Sequence, residues 1–358
     1  MADNGFAPMI GIVEVAALAG VSPATVSRAL RGLPGVSAGT RQNVEKAAAS
    51  LGYYASPSAA ALTTGRTRAI GVMAPWISRW FFSAVIEGAQ EVVGEQGYDT
   101  LLYPLGANAA PNAVGVIDTR ALHKRVDGIL GLNVPLGLQP SSLRNLRIPL
   151  VTVGSIIPGV SGVLVDDIEV GYSATCHLIR LGHRRIAFLG HDPDGLYGFT
   201  VAADRERGFE KALQENRIPV DPGLVGMTGF SIEGGSKALI NLWEQTGKRV
   251  ELMPTAVFAV SDEVAFGIIY AARQNGLRVP QDISVIGVDN HDMSYLFELT
   301  TIGQPVRDQG RIAARMLLDH VRINEPAAPE VVRMNPGLIT RRTTCAPRVD
   351  ARGLPTGV

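Results

Sequence analysis

The sequence predicts an α/β protein: a small N-terminal helix-turn-helix head and a short linker helix, followed by a two-lobed, doubly wound α/β core. Three observations carry this. Residues 12–52 read as three short helices divided by tight turns, apolar runs alternate with helical stretches from Arg68 onward, and one strand–helix pattern recurs further along the chain.

In the head, Ile12 to Ala19 carries apolar residues at helical spacing and Gly20 stops it. Ser22-Pro23 restarts the chain, the serine as N-cap and the proline at the first helical position, where its missing N–H costs nothing. The second helix runs from Pro23 to Leu30, and the Gly20-Val21-Ser22 link has the length of a helix-turn-helix elbow. A third helix, capped by Ser37, passes through Val44 and Ala47 to Leu51 and stops at Gly52. Ile12, Val15, Val21, Val26, Leu30, Val44 and Leu51 make the expected minimal core. Next, Ser56-Pro57 opens a helix of less than two turns, which forms only when something packs on it.

From Arg68 onward the expected strands are Ala69 to Ala74, Thr100 to Tyr103, Gly128 to Gly131, Leu150 to Val153, Arg185 to Gly190, Ala256 to Val260 and Ile283 to Val288. Several are unbroken apolar runs, as in buried parallel sheets. Helical stretches such as Phe81 to Gln96, Val170 to Leu181 and Val264 to Asn275 lie between them. "RAIGVM" followed by "IEGAQEVVGEQG" is echoed by "RRIAFLG" followed by "ERGFEKALQENR", with Gly88 matching Gly208. Two similar lobes suggest a clamshell with its cleft at the strand C-terminal ends, where open α/β sheets bind ligands. The expected boundaries are 1–54 for the head, 55–67 for the hinge, 68–345 for the two-lobed domain and 346–358 for a flexible tail.

Composition excludes several classes. With 358 residues, 46% hydrophobic and 18% charged, the chain is globular rather than disordered. It has no apolar run of roughly 18 residues and no leader-like start, so a soluble, cytoplasmic protein is expected. Cys176 and Cys345 lie far apart without CxxC spacing, which excludes a zinc finger or disulfide framework and suggests reduced, buried thiols. Nucleotide, P-loop, nucleophile-elbow and HExxH motifs are absent, and the six histidines are scattered, as surface or supporting residues would be. Asp166-Asp167 and Ser261-Asp262-Glu263 are paired acidic groups, but no nucleophile or phosphate loop accompanies them. No catalytic residue, metal or cofactor is therefore expected, and an α/β enzyme with an appended module is the least supported class. The net charge is zero, 33 basic against 33 acidic, which on its face argues against nucleic acid. The average conceals a segregation: residues 1–68 hold six basic side chains and three acidic ones.

The segment "VEVAALAGVSPATVSRAL" resembles the N-terminal motif of the lactose-repressor (LacI/GalR) family of bacterial transcription regulators. The resemblance continues through "GVSAGTRQNVEKAAASLGY", "LTTGRTRAIGVMAP", "VDGIL", "LGHRRIAFLG", "DRERGF", "AVFAVSDEVAFGIIYAARQNGLRVPQDISVIGVDN", "LTTIGQP" and "RRTTCAP", and so spans nearly the whole chain. It implies that Ser22, Pro23, Ala24, Thr25, Ser27 and Arg28 lie on the helix that enters the major groove. Thr25, Ser27, Ser37, Thr40 and Tyr53 would touch phosphates, and Pro23, Ala24 and Arg28 would face bases, arginine being able to reach a guanine edge. Gly39 stands where many relatives carry lysine. Leu62 matches the leucine that the family's hinge helix levers into the minor groove, while Ala55, Ser56 and Ala60 depart from the usual hinge pattern.

For the body the resemblance implies a periplasmic-binding-protein-like fold with a small effector between the lobes. Matching positions give Asp166, Arg205 and Asp289 as hydroxyl binders with Ser261 and Asp262 nearby, and Trp80, Phe82 and Phe230 as apolar walls; Arg205 and Asp289 as an interlobe salt bridge, and the aromatics as plain core, stay open. The tail after Arg342 has no leucine heptads, so a homodimer reading pseudo-palindromic operator DNA is expected rather than a tetramer. The function implied is a repressor of a carbohydrate uptake or catabolism operon, controlled by a sugar-like effector. The alternative is a cytoplasmic sugar-binding protein whose head no longer binds DNA.

Overall fold

The structure is a computed structural model and describes residues 10–53, 65–104, 122, 124–134, 148–191, 200–323 and 328–348. It forms two compact units, Met1–Arg68 and Ala69–Val358.

The head is built from α1 (Ile12–Ala19), α2 (Pro23–Leu30) and α3 (Ala38–Leu51), with the bounds that caps and stops predict. Ser22 Oγ accepts from the Thr25 N–H at 3.2 Å and Ser37 Oγ from the Thr40 N–H at 3.1 Å. Gly20 and Gly52 end their helices in the left-handed region, at φ 66° and 63°. The chain bends by 96° between α1 and α2, within the range of about 90–120° typical of helix-turn-helix units. Val15, Val26 and Val44 are buried among small alanines, with Ile12, Val21, Leu30 and Leu51 half-buried around them. So small a core is braced by hydrogen bonds: Arg41 donates to the carbonyls of Ala29 and Leu33, and Asn43 to that of Ala19, the last residue of α1. Arg41 is thus a structural strut of the head as well as one of its positive charges. The expected hinge helix with Leu62 lies outside the described residues.

The larger unit has two lobes, each on a six-stranded sheet. In lobe 1 the strands are β1 (Ala69–Ala74), β2 (Asp99–Pro104), β3 (Gly128–Leu132), β4 (Leu150–Val153), β5 (Ser161–Val165) and β11 (Val331–Met334). They pair in the order β11-β5-β4-β3-β1-β2, all parallel. Lobe 2 holds β6 (Ile186–His191), β7 (Val225–Met227), β8 (Ala256–Ala259), β9 (Ser284–Asp289), β10 (Thr300–Gly303) and β12 (Gly337–Ile339). Their order is β12-β10-β9-β8-β6-β7, with β12 antiparallel to β10. The chain crosses between lobes after β5, after β10 and after β11. Strands β1, β3, β8 and β9 are buried along their whole length, which is why they read as unbroken apolar runs.

Helices pack in pairs: α4 (Trp80–Glu95) with α9 (Val306–Ile323), α5 (Asp167–Arg180) with α6 (Val201–Glu215), and α7 (Ile232–Gln245) with α8 (Asp262–Gln274). Each pair meets through two reciprocal glycines, Gly88 and Gly310, Gly171 and Gly208, Gly235 and Gly267; a Cβ on any of them would overlap a backbone carbonyl of the partner helix. The Gly88–Gly208 echo in the sequence has this cause: both lobes use glycine to bring helix backbones into contact.

Two expectations are corrected. Residues 346–348 are not a free tail, because the Arg348 guanidinium donates to the carbonyls of Val250, Met253 and Asp282. His177 and His183 are buried supporting residues, covered by the same C-terminal strap. His183 Nε2 lies 2.8 Å from the Cys345 carbonyl and Nδ1 2.9 Å from Thr255 Oγ1. Cys176 and Cys345 are free thiols but only half-buried.

Candidate functional site

The loops that leave the C-terminal ends of both sheets enclose a cavity partly open to solvent. The position follows from the topology: Trp76 follows β1, Asn133 β3, Gly154 β4, Asp167 β5, Ser261 β8 and Gln304 β10, and Asp289 ends β9. Asn133, Phe230 and Asp289 also hold positive φ, at 41°, 52° and 120°. Such backbone is held only where the surroundings fix it, and it commonly marks ligand sites.

Arg205 is only 4% exposed. Its Nε donates to Asp167 Oδ1 at 2.8 Å and its Nη1 to the Val260 carbonyl. Burial pushes the Asp167 carboxyl up from its usual range, and the charge and hydrogen bond of Arg205 pull it back. Asp289 accepts a 2.7 Å hydrogen bond from Gln304 Nε2 at Oδ1. Burial raises its carboxyl well above the ordinary value, opposed by the charge of Arg205 and reinforced by the nearby carboxylates of Asp262 and Glu263. Glu263 is raised by burial as well, with Arg79 opposing. Phe81 and Phe82 meet edge to face at 5.4 Å, Trp76 lies 6.1 Å from Phe82, and Phe230 completes the apolar wall. Polar hydrogen-bonding groups beside aromatic faces suit a small ligand with both hydroxyls and apolar surface.

Of the sequence-predicted residues, the structure brings Phe82, Arg205, Phe230, Ser261 and Asp289 together at this cavity and places three others elsewhere. Asp166 is the N-cap of α5, its Oδ1 accepting from the Ile168 and Glu169 N–H groups at 3.1 Å, and it borders a neighbouring hollow. The helix start needs one acidic cap, so the second aspartate of the pair, Asp167, supplies the cavity. Asp262 is fully buried and pins the loop after β9: it accepts from Ser294 Oγ at 2.6 Å, Thr301 Oγ1 at 2.7 Å and the His291 N–H at 2.9 Å. Trp80 lies outside the cavity, its Nε1 donating to Asp292 Oδ2 at 3.0 Å and its ring 4.8 Å from that of His291. Arg205 is paired with Asp167 rather than with Asp289. Sequence reasoning missed Asp167, Glu263, Gln304, Gln309, Arg79, Asn133 and Trp76. The usable signal was position, since most of them follow an apolar strand run within a few residues.

In the head, Pro23, Ala24 and Arg28 are exposed on α2, and Thr25 and Ser27 are half-buried. Arg28 Nη2 donates to the Pro34 carbonyl at 3.2 Å, which holds the guanidinium beside the turn after α2. The hydroxyls of Thr25 and Thr40 also hydrogen-bond those of their capping serines, at 2.9 and 2.8 Å. Tyr53 packs half-buried on the head core.

Residues 11–56 match the family model of bacterial regulatory proteins of the lacI family, and residues 175–344 that of a periplasmic binding protein-like domain. Over 315 residues the chain is 35% identical to the HTH-type transcriptional repressor CytR of Escherichia coli (strain K12), covering 86% of this chain and 89% of that protein. The chain belongs to the LacI family. Its fold matches the Lac repressor dimer bound to operator and the anti-inducer ONPF, with a TM-score of 0.79 and 25% identity over 94% of this chain and 99% of that one. It also matches the transcriptional regulator CelR–cellobiose complex, with a TM-score of 0.67 and 27% identity over 93% and 99% of the two chains. As a LacI-family member it is a DNA-binding transcription regulator controlled by a small-molecule effector. Its relatives are regulators rather than enzymes. No single helix among the described residues is long and apolar enough to cross a membrane.

Proposed function

We propose that this LacI-family regulator represses a carbohydrate uptake or catabolism operon, acting in the cytoplasm as a homodimer on a pseudo-palindromic operator. A sugar or sugar derivative bound in the cavity is its effector. The observation that carries this reading is the cavity wall itself. Asp289 and the Arg205–Asp167 pair offer hydroxyl-binding groups in the cavity that Phe82 and Phe230 also line, and similar chains are described with cellobiose and with operator bound. Pro23, Ala24 and Arg28 read bases in the major groove, while Thr25, Ser27, Ser37, Thr40 and Tyr53 hold phosphates and Ser22 caps the helix that enters the groove. Leu62 enters the minor groove. The effector shifts the balance between lobe arrangements, so operator and effector affinities are linked.

The second reading, a sugar-binding protein with a silent head, is favoured by the Arg28 guanidinium folded on the Pro34 carbonyl and by the hinge departures at Ala55, Ser56 and Ala60. Replacing Arg28 by Ala separates the two. In gel shifts on DNA selected from a random pool, the repressor reading expects a marked loss of affinity for the selected sequence. Equal binding by both proteins, or salt-insensitive binding, supports the silent head.

A further inference from the structure

Gln309 lies on α9, is 1% exposed, and lines the cavity. It ends a chain of amides whose directions are fixed by chemistry. Asp289 Oδ1 accepts from Gln304 Nε2 at 2.7 Å, and Gln304 Oε1 accepts from Gln309 Nε2 at 3.3 Å. With Asp289 Oδ1 as the acceptor, Gln304 turns its NH2 group to it, so the carbonyl of Gln304 faces Gln309. Gln309 must answer with its own NH2, because a flipped amide would set two carbonyl oxygens against each other. Its Oε1 is therefore left over, buried, and accepts no hydrogen bond from the described residues. The buried Oδ1 of Asn133, which also lines the cavity, likewise accepts none from them. A buried acceptor in that state favours a partner that donates.

Charge on the wall points the same way. Arg79 and Arg205 stand against Asp167, Glu263 and Asp289. Arg205 spends its Nε on Asp167 and its Nη1 on the Val260 carbonyl, and the charge of Arg79 is set against Glu263. Both cations of the wall are thus already turned to carboxyl groups, which leaves neither free to pair with a ligand phosphate or carboxylate beside Asp289.

We propose that Gln309 is a specificity-determining residue: its Oε1 takes a hydrogen bond from an O–H or N–H of the effector, and the cavity selects a neutral or amino-substituted sugar over phosphorylated or carboxylated counterparts. This rests on the cavity being the site of a carbohydrate effector. The test uses the full chain with matched sets of probes: glucose, glucosamine, glucuronate and glucose 6-phosphate; the corresponding galactose set; cellobiose; and ribose with ribose 5-phosphate. Thermal shift ranks the probes and calorimetry measures the affinity of those that bind.

The expected result is that a neutral or amino sugar raises the melting temperature and its anionic counterpart does not. Gln309→Met, similar in length but without an acceptor, should bind that sugar about tenfold more weakly or worse, beside a modest loss of ligand-free melting temperature from the hydrogen bond it no longer gives Gln304. A deoxy analogue lacking the donating hydroxyl should then lose no further affinity in the Gln309→Met protein, which a merely structural role would not produce. Tighter binding of the phosphate or acid, or unchanged affinity in Gln309→Met, overturns the inference and leaves the effector cavity standing. If Gln309→Met fails to fold, the neutral-against-anionic comparison in the unaltered protein still decides. If no member of the panel binds, the carbohydrate reading falls and the inference with it.

Discussion

The backbone carbonyl of Arg205 occupies the space that a side chain on Gly171 would need. Helices α5 and α6 can approach this closely because Gly208 makes the reciprocal contact with Ile168, and the approach places the Arg205 guanidinium 2.8 Å from Asp167 at the head of α5. Gly171→Ala should force the pair apart, costing about 1–3 kcal/mol as overpacked cores do, and displace Arg205 from the cavity wall. Chemical denaturation with a parallel ligand titration checks this. Stability and affinity should both fall.

The loop after β9 in lobe 2 is tied to lobe 1 on the outside of the cavity. Asp292 accepts from Trp80 Nε1 on α4 and pairs with Arg307 at the start of α9, which also holds Glu87 on α4. These groups are partly exposed, so each pair contributes less than about 1 kcal/mol. Asp292→Leu should therefore leave the melting temperature nearly unchanged. It should still weaken effector binding roughly two- to fivefold by releasing this lobe arrangement, as calorimetry would read.

Gly39 stands exposed on α3 with open space where a side chain would go. Gly39→Lys should add a phosphate contact at the start of α3. The expected outcome is tighter operator binding and a salt dependence steeper by about one counterion per protomer, measured by fluorescence anisotropy across ionic strength. An unchanged slope would place residue 39 away from the backbone.

His183 supplies a pH dependence whose sign can be worked out. Burial, with the charges of His177 and Arg348, depresses its imidazole to about 4, against the favourable hydrogen bond to the Cys345 carbonyl. The unfolded chain binds the proton near the ordinary value of 6.5, so between those values it holds more protons than the folded state. Stability is then lost as pH falls, by roughly 2 kcal/mol at pH 5 relative to pH 8. Asp262 acts oppositely, since burial lifts its carboxyl to about 6 and stability falls as pH rises toward that value. The difference between the unaltered protein and His183→Gln isolates the histidine: denaturation from pH 8 to 5 should show a shallower acid loss in the variant.

How much was legible in the sequence follows from the kind of interaction concerned. Helices α1 to α3 were readable residue by residue because Ser22, Ser37, Gly20 and Gly52 mark their ends locally. The central strands were readable as unbroken apolar runs. Strand β5 and the short β7, β10, β11 and β12 were not, because they carry glycine or alternate in exposure and owe their form to their sheet partners. In the cavity, Arg205 and Asp289 were named from motif alone. Which aspartate of Asp166-Asp167 faces inward was decided by the capping of α5, and Trp80 was drawn outward by Asp292, 212 positions away. Gln309 was silent because its role depends on a relay through Gln304 to Asp289.

The central claim is that a ligand in this cavity sets the affinity of the head for DNA. It is tested most directly by anisotropy of labelled DNA, selected from a random pool, titrated with the full chain with and without the sugar found by thermal shift. The predicted result is a ligand-dependent change in DNA affinity of about 5- to 150-fold in the unaltered protein. Arg205→Ala should keep the affinity of the ligand-free protein and lose the response. An identical affinity with and without a sugar that demonstrably binds would contradict the account.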